Sequence, residues 1–262
     1  MLERITVKGA VLNCHVHHIG DTAPWLLFSN SLLTDMSIFD AQYSAFSDSF
    51  NIIRYDQRGH GKSTVSTAVD FNRLAQDVLK ILDHNNVQEC IFIGLSMGVP
   101  TGLATFQLAT DRFRAMIFMD GQAASAPDAA EQWQTRIDSA VNRGLYNFSA
   151  ATASRWLVDD DDEKRERLIS MMNATPLEGF VAAANSLKSY DYSHVLPEIT
   201  IPVLTMAGAM DGAMPEKMSS MASCLANGHF LKIDQAGHVP CFEQPEAVNT
   251  AMQTFLQREI KL

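Results

Sequence analysis

The sequence predicts an α/β fold with a mostly parallel sheet of eight strands flanked by helices. Short runs with strand character alternate with longer stretches of helical periodicity, which is the pattern of consecutive βαβ units. The last six runs are compact and apolar, as expected for strands that are buried on both faces of a sheet. A chain of 262 residues fits one such core with an inserted segment.

The predicted elements follow one another along the chain. The helix at 71–85 places Phe71, Leu74 and Val78 on one apolar stripe, together with Leu79 and Leu82, at the spacing of an amphipathic helix. The predicted strands are 4–7, 11–17, 25–29, 51–55, 90–94, 115–119, 203–207 and 230–233. The predicted helices of the core are 36–46, 71–85, 97–110 and 245–257.

The alternation of strands and helices stops between Gly121 and Pro197. This segment has little β character and contains helical stretches such as AAEQWQTRIDSAV and EKRERLISMMNA. We therefore predict a core formed by residues 1–120 and 198–262, with a helical cap at 121–197 that is inserted after the sixth strand and lies over the active site. The acidic run DDDDEKRER at 159–167 leads into a helix, whose dipole stabilises negative charge, so we predict a solvated helix start and no metal site there.

Ser96 is the predicted nucleophile. It lies in FIGLSMGVP, where IFIG has the pattern of a strand and the residues from Met97 onward have the pattern of a helix. A tight turn between them, next to glycine, holds a serine in a strained conformation with its hydroxyl exposed. The backbone N–H of Met97 then points to the carbonyl under attack, where it stabilises an oxyanion.

A serine nucleophile needs a base and an acid that orients the base. His238 is the predicted base, because FLKIDQAGHVPCFEQPEAV places it in a loop between the last strand and the last helix. Two acids compete for the third role, Asp211 in TMAGAMDGAMP and Asp120 in IFMDGQ, and both follow strands. We predict Asp211, which precedes a turn-Pro loop. Asp120 would then line the pocket or fix the start of the cap.

Composition excludes several classes of function. The net charge of −10 argues against a nucleic-acid partner, and no stretch approaches the roughly 20 apolar residues of a membrane span. The opening stretch MLERITVKGA carries charges and no apolar run, so no signal peptide is predicted. The four scattered cysteines have neither zinc-site spacing nor disulfide density, so we expect a reduced, cytoplasmic compartment and no metal or other cofactor.

The GLSMG turn, with Asp211 and His238, resembles the α/β-hydrolase superfamily, and the chain is most similar to the 3-oxoadipate enol-lactonases. The closer likeness rests on FSNSLLTDMSIFDAQ, FNIIRYDQRGHGKS and IGLSMG, on WQTRIDSAV, SRWL and MMNATPLEGFVAAANSL in the cap, and on GAMDGAMP with AGHVPCFEQPEAV. This resemblance spans nearly the whole chain and implies an α/β-hydrolase fold. Two departures, Leu33 in place of the family's glycine and Val99-Pro100 after the serine turn, are expected to reshape the pocket floor and the acyl site.

The resemblance also implies a second oxyanion donor, supplied by the loop after the third strand. Matching FSNSLL to that loop assigns this N–H to Ser31, which would act together with the N–H of Met97. The hydroxyl of Ser31 would either bond the substrate or only form the turn.

A lactone of the kind that this family hydrolyses carries a free carboxylate, so an acidic protein has to supply a cation in its pocket. The cap offers Arg136, Arg155 and Lys188, and a guanidinium suits a carboxylate better than an ammonium does. We rank Arg136 first, although each of the three also suits the protein surface. Trp133 and Trp156 would contact the substrate or pack inside the cap.

The predicted function is hydrolysis of a lactone or ester through a Ser-His-Asp acyl-enzyme, with 3-oxoadipate enol-lactone in aromatic catabolism as the specific substrate. A general carboxylesterase, or a lactonase for a neutral ring, is the alternative among enzymes. A non-catalytic binding protein on a hydrolase scaffold is the alternative of another class, and the intact triad argues against it. We expect a small lactone or ester as partner and no nucleic acid or membrane, and a homo-oligomer stays open.

Overall fold

A single sheet of eight strands organises the computed structural model, which describes residues 1–65, 69–158 and 161–260. The strand order is β1-β2-β4-β3-β5-β6-β7-β8; β2 runs antiparallel to β1 and β4, and the other neighbours are parallel. The predicted sheet is therefore confirmed. Its strands are β1 (Leu2–Val7), β2 (Ala10–His17), β3 (Trp25–Ser29), β4 (Asn51–Tyr55), β5 (Cys90–Leu95), β6 (Phe113–Met119), β7 (Val203–Gly208) and β8 (Gly228–Ile233).

Helices follow most of these strands. Two of them, α8 and α9, are absent from the sequence prediction, because α8 buries only Met218, Met221 and Ala222 and α9 is a single turn. No helix of the described residues has the length and apolar character to cross a bilayer. The α-helices are α1 (Asp40–Phe46), α2 (Phe71–His84), α3 (Gly98–Leu108), α4 (Ala129–Arg143), α5 (Leu145–Trp156), α6 (Asp162–Asn173), α7 (Leu177–Ser186), α8 (Met214–Ser223), α9 (Pro240–Glu243) and α10 (Pro245–Ile260).

Two apolar layers, one on each face of the sheet, form the core. Alternate residues of a strand enter opposite layers, so that Leu26 lies in the layer that contains Phe255 of α10, and Leu27 lies with Ile81 of α2 and Leu103 of α3. Burial of a large apolar side chain stabilises the fold by about 1.5–3 kcal/mol. The carboxyl ends of the parallel strands are thereby fixed from both sides.

The prediction that the last strand is buried on both faces is wrong. β8 ends the strand order, and Ile233 is its one fully buried residue. Leu231, in the middle of this strand, is 42 % exposed. An edge strand has a partner strand on one side only, and it therefore tolerates polar and half-exposed positions that an interior parallel strand does not.

The chain between β6 and β7 forms the four helices α4, α5, α6 and α7 within its described part. Their packing is local, with α4 against α5 and α7, and α5 against α6. The acidic run leads into a helix, as predicted, and α6 begins at Asp162. The carboxylate of Asp161 caps this helix, because it accepts a hydrogen bond from the N–H of Lys164 at 3.0 Å. Asp159 and Asp160 of that run lie outside the described residues.

Candidate active site

Ser96 lies at a sharp turn between β5 and α3. Its φ of +52° falls in the left-handed region that residues other than glycine rarely adopt, and its N–H donates to the carbonyl of Met119 on β6 at 2.7 Å. The flanking glycines are required by close packing. A Cβ at Gly94 would lie 2.5 Å from the carbonyl oxygen of Gly98, and one at Gly98 would lie 2.4 Å from that of Ser29. The strained serine turn of the sequence prediction is present.

Ser96, His238 and Asp211 are joined by two hydrogen bonds. The Oγ of Ser96 lies 3.0 Å from Nε2 of His238, and Nδ1 of His238 lies 2.7 Å from Oδ2 of Asp211. When Nδ1–H donates to the carboxylate, Nε2 carries a lone pair that accepts the serine proton. The side chains of His238 and Asp211 are 14 % and 21 % exposed, so a substrate can reach them while most water is excluded.

Two opposing effects set the ionisation of Asp211. Burial disfavours the charged carboxylate, but the hydrogen bond and the positive charge of His238 outweigh burial and hold the pKa of Asp211 below its ordinary value. The positive charge of Arg155 acts in the same direction. Asp211 is therefore a carboxylate at neutral pH, which is the form that orients and stabilises an imidazolium.

The loop that carries His238 is fixed by the end of α5 and by a buried glutamate. The N–H of His238 donates to the carbonyl of Trp156 at 2.9 Å, and the two rings lie 4.7 Å apart. Glu243 accepts the N–H of Gly237 through Oε2 at 2.6 Å and the N–H of Val158 through Oε1. The helical segment above the core therefore contacts the histidine directly.

A cavity of about 490 Å³ opens above Ser96. Its floor is formed by the turn of Ser96 and Met97 together with Leu32, Leu33 and Asp120. Side chains from α4 and α5 also line the cavity; they are Trp133, Arg136, Phe148, Thr152, Arg155 and Trp156. A cavity of this size accommodates a small organic acid or ester.

Two residues of the cavity lining have a backbone N–H without a partner among the described residues. Met97 and Leu32 line the cavity, and neither N–H has a hydrogen-bond partner within the described chain. Ser31 is buried outside the lining, and its hydroxyl lacks a partner among the same residues. The role of Ser31 as a donor stays a prediction, and its neighbour Leu32, which lines the cavity, is an alternative candidate.

A buried amide network holds the loop after β3. Oδ1 of Asn30 accepts the N–H of Gln57 at 3.2 Å, and Nδ2 of Asn30 donates to the carbonyls of Ser31 and Thr34. Within this loop Leu33 has a φ of +66°, in the region that favours glycine. The departure from the family pattern at Leu33 thus combines backbone strain with an apolar side chain on the pocket floor.

Of the three predicted cations, Arg136 and Arg155 line the cavity, whereas Lys188 donates to Gln134 outside it, at 2.6 Å. The guanidinium of Arg136 lies 4.5 Å above the ring of Trp133. Burial, together with the charge of Arg155, lowers the pKa of Arg136. Neither arginine forms an ion pair within residues 1–65, 69–158 and 161–260, although the charge of Arg155 acts on Asp211. Lys217 of α8 is a third cation that lines the cavity, and it donates to Gln122 at 2.9 Å.

Asp120, the competing acid of the sequence prediction, lies beside the pair of Asp211 and His238. Its backbone has a φ of +44°, its N–H donates to Met206 at 3.1 Å, and its Oδ1 accepts the N–H of Gly208 at 3.0 Å. Asp120, Asp211 and His238 each offer one possible metal-ligand atom, all within 4.8 Å of one another, and no other such group of three occurs in the described residues. Because His238 and Asp211 already bond each other, we assign no metal to them.

Comparison with known proteins identifies the family. A family model described as the alpha/beta hydrolase fold matches residues 24–245. The chain belongs to the α/β-hydrolase fold family. It is 30 % identical to 3-oxoadipate enol-lactonase 2 of Acinetobacter baylyi, over 98 % of this chain and 97 % of that relative. The predicted fold and the predicted resemblance are confirmed.

Two solved structures are similar to this α/β hydrolase over nearly their full length. The enol-lactonase from Burkholderia xenovorans LB400 has a TM-score of 0.90 at 28 % identity, and the match covers 97 % of this chain and 100 % of that one. A thermophilic esterase from Thermogutta terrifontis, with malate bound, has a TM-score of 0.90 at 26 % identity and covers 98 % of both chains.

Sequence reasoning missed Leu32 and Glu243. Leu32 lies in an apolar pair that gives no polar signal, and the backbone N–H that makes it an alternative candidate to Ser31 belongs to every residue except proline. Glu243 stands shortly after His238 in HVPCFEQP, where an acid before a proline suggests an ordinary surface turn. In the structure its carboxylate is almost completely buried.

Proposed function

We propose that this hydrolase opens a carboxylate-bearing lactone, 3-oxoadipate enol-lactone or a similar compound, by an acyl-enzyme mechanism. The observation that carries the proposal is the bonded series Ser96–His238–Asp211, with distances of 3.0 and 2.7 Å, on the floor of a cavity that two arginines also line. Sequence similarity to an enol-lactonase over nearly the whole chain supports the same substrate class. Hydrolysis of carboxylic esters and lactones is the general activity of such relatives.

In the first step the Oγ of Ser96 attacks the lactone carbonyl, and Nε2 of His238 takes the hydroxyl proton. The carbonyl oxygen becomes an oxyanion, for which the N–H groups of Met97 and Leu32 are the proposed donors. Each donor contributes on the order of 3 kcal/mol in comparable enzymes. Asp211 holds the imidazole in place and stabilises its positive form.

In the second step the bond between the carbonyl carbon and the ring oxygen breaks, and His238 returns its proton to the leaving oxygen. In a lactone this oxygen stays attached to the acyl group, so ring closure competes with hydrolysis. An enol avoids the reversal because it converts to a ketone. Water, activated by His238, then attacks the acyl-enzyme and releases the acid together with the free Ser96 hydroxyl.

The substrate carboxylate is the reason for two cations in the cavity wall. Arg136 and Arg155 belong to α4 and α5 and line the cavity, and neither forms an ion pair within the described chain. A carboxylate entering between them replaces the water that solvates the guanidinium groups with charged hydrogen bonds. The similar esterase from Thermogutta terrifontis has malate, a dicarboxylate, bound. We also propose that residues 121–197 act as the cap that closes over this ligand.

The experiment compares matched substrates on the purified protein. A carboxylate-bearing enol-lactone and its neutral primary amide have nearly the same size, so their kcat/KM ratio reports the recognition of charge. We expect the acid to be favoured by about ten- to a hundredfold, because a charged hydrogen bond contributes roughly 1.5–3 kcal/mol. Equal values would contradict the lactone proposal and leave a general carboxylesterase.

The chemical step is tested separately with p-nitrophenyl acetate. The unchanged protein should release p-nitrophenol in a burst as the acyl-enzyme forms. Ser96→Ala should lower turnover by several powers of ten, while the circular-dichroism spectrum stays unchanged. A variant that keeps more than about a tenth of the activity would remove Ser96 from the mechanism, and absence of any activity in the unchanged protein would support a binding function.

A further inference from the structure

Two carboxyl groups lie next to each other and to the imidazole of His238. The carboxyl atoms of Asp120 and Asp211 are within 4.8 Å of each other and of a ring nitrogen of His238. Asp120 is completely buried. Its Oδ1 accepts the N–H of Gly208 at 3.0 Å, whereas its Oδ2 has no donor among the described residues. An ionised carboxylate in this place would have one oxygen with nothing to bind it, which is costly in a dry interior.

The groups that surround Asp120 do not compensate a negative charge on it. Asp211 faces it from the loop after β7, and Glu243 acts from α9, and both are acids. The thiol of Cys241 also lies within electrostatic range, and Arg155 acts on Asp211. The Nδ1 of His238 already bonds Asp211 at 2.7 Å, so it is not available to Asp120.

Two neighbouring carboxyl groups in such a place share one negative charge, and the less solvated of them keeps the proton. Burial raises the pKa of Asp120 well above its ordinary value, and the negative charge of Asp211 is the second cause of this increase. The hydrogen bond of His238 holds the pKa of Asp211 below its ordinary value. The two acids therefore differ in protonation although they lie side by side.

We propose that Asp120 is a positioning residue, a neutral carboxylic acid whose Oδ2–H donates a hydrogen bond to Asp211 and holds that carboxylate against His238. The backbone suits this role, because the end of β6 is fixed to β7 through the bonds of Asp120 to Met206 and Gly208. Asp211 lies in the loop that begins where β7 ends, next to Gly212 with a φ of +54°. Asp120 thus supplies this loop with a rigid attachment to the sheet.

The hydrogen bond from Asp120 also has a chemical effect. A carboxylate that receives a second donor attracts the imidazolium proton less strongly, so His238 gives its proton up to the leaving oxygen more readily. This inference rests on the proposed function, because it gives Asp120 a part in the same acyl-enzyme mechanism.

The sequence offers a matched pair of variants. Asp120→Asn keeps a carbonyl that accepts from Gly208 and an NH2 group that donates to Asp211, and asparagine tolerates a positive φ. Asp120→Ala removes both groups. A merely structural role would lower the thermal stability of the two variants without moving the pH dependence of catalysis.

We expect Asp120→Asn to keep kcat within about threefold, with the acid limb of its kcat/KM profile at the pH of the unchanged protein. Asp120→Ala should lower kcat about tenfold and move that limb to higher pH, because Asp211 then attracts the imidazolium more strongly. If Asp120 were ionised instead, Asp120→Asn would remove a negative charge near His238 and move the limb about one to two pH units lower. That result would overturn the proposal.

Infrared difference spectroscopy provides a reading that needs no turnover and no folded alanine variant. If Asp120 is a neutral acid, the Ser96→Ala protein should show the carbonyl band of a protonated carboxyl group at neutral pH. Adding Asp120→Asn to that protein should remove the band. If the spectra of the two proteins do not differ in this band, the proposal is wrong. The spectrum decides on Asp120 even if no ester is hydrolysed, whereas the p-nitrophenol burst and its loss in Ser96→Ala decide on the proposed function.

Discussion

The carboxyl edge of the sheet and the helices above it differ in how they hold their side chains. All six residues of β5 are buried, and the turn that follows is bonded to β6 through Ser96 and Met119. In α4, by contrast, only Ala129, Ile137 and Ala140 of 15 residues are buried. The groups that we propose to react are therefore set by the backbone of a packed core, whereas the proposed substrate contacts are long side chains on a largely exposed helix.

This difference separates chemistry from selectivity. A change at the carboxyl ends of the strands removes a contact that every substrate needs, so the loss of activity should be large and independent of the substrate. A change on α4 or α5 removes a contact that only some substrates make, so the loss should be smaller and selective. The following predictions are arranged from the largest expected effect to the smallest.

The Asp211→Asn variant should lower kcat by roughly 10⁴ for acidic and neutral esters alike. The amide no longer holds the imidazole in the tautomer that leaves Nε2 free, so the base is lost while the fold stays intact. Steady-state kinetics on two esters measures the effect, and Asp111→Asn, at an exposed position between α3 and β6, is the control. A smaller loss than in Asp120→Asn would transfer the role of the acid to Asp120.

His60 should make the core sensitive to acid. Burial lowers the pKa of this completely buried imidazole from 6.5 to about 4, so the unfolded chain binds more protons between these two values. Stability is then present above pH 6.5 and is lost as the pH falls towards 4, by about 3 kcal/mol. His15, whose pKa burial also lowers to about 4, is partly exposed and should contribute less.

Urea unfolding of the unchanged protein and of His60→Asn, between about pH 7 and pH 4.5, isolates this contribution. Asparagine can replace the bond of Nδ1 to the Arg58 carbonyl, which is 3.1 Å long, but it does not titrate. The difference between the two unfolding free energies should shrink or reverse as the pH falls. A difference that does not vary with pH would show that His60 does not titrate on unfolding.

The effect of removing Arg136 or Arg155 should depend on the substrate. Arg136→Ala should lower kcat/KM for a carboxylate-bearing lactone by about ten- to a hundredfold and leave p-nitrophenyl acetate nearly unchanged, because a charged hydrogen bond is lost only with the acid. Arg155→Ala is the second variant, and Lys188→Ala, outside the cavity, is the control. Equal losses on both substrates in Arg136→Ala and Arg155→Ala would mean that these residues support the fold and not the choice of substrate.

Leu33 should show the smallest effect, in two variants that separate strain from volume. Leu33→Gly and Leu33→Ala both enlarge the cavity at the position of Leu33. We expect each variant to raise, by a few-fold, the ratio of kcat/KM for p-nitrophenyl butyrate to kcat/KM for p-nitrophenyl acetate. Only glycine relieves the φ of +66°, so the glycine variant should be more stable than the alanine variant by about 1 kcal/mol. An alanine variant of equal or greater stability would contradict the strain at this position.

Much of the site at the carboxyl ends of the strands was predictable, because its residues lie in local sequence patterns of strand, turn and helix. Ser96 had to lie between a strand and a helix, and both carry a clear periodicity. Asp211 was separable from Asp120 by position along the chain, but their contact was not, because it depends on two loops that approach only in the fold. Leu32 was not foreseen as an alternative donor to Ser31 because a backbone N–H has no residue type. The exposure of β8 was not foreseen because the composition of a strand does not give its place in the strand order.

The bonds between the end of α5 and the histidine loop have a consequence for protein engineering. The backbone N–H of His238 bonds the carbonyl of Trp156, and the two rings are in contact. The carboxylate of Glu243 accepts hydrogen bonds from the N–H groups of both Val158 and Gly237. The proposed base is therefore positioned in part by the segment that we propose selects the substrate. A chimaera that imports residues 121–197 from a relative, to change specificity, must import a matching 237–243 as well, or it will inherit a new pocket above a misplaced imidazole.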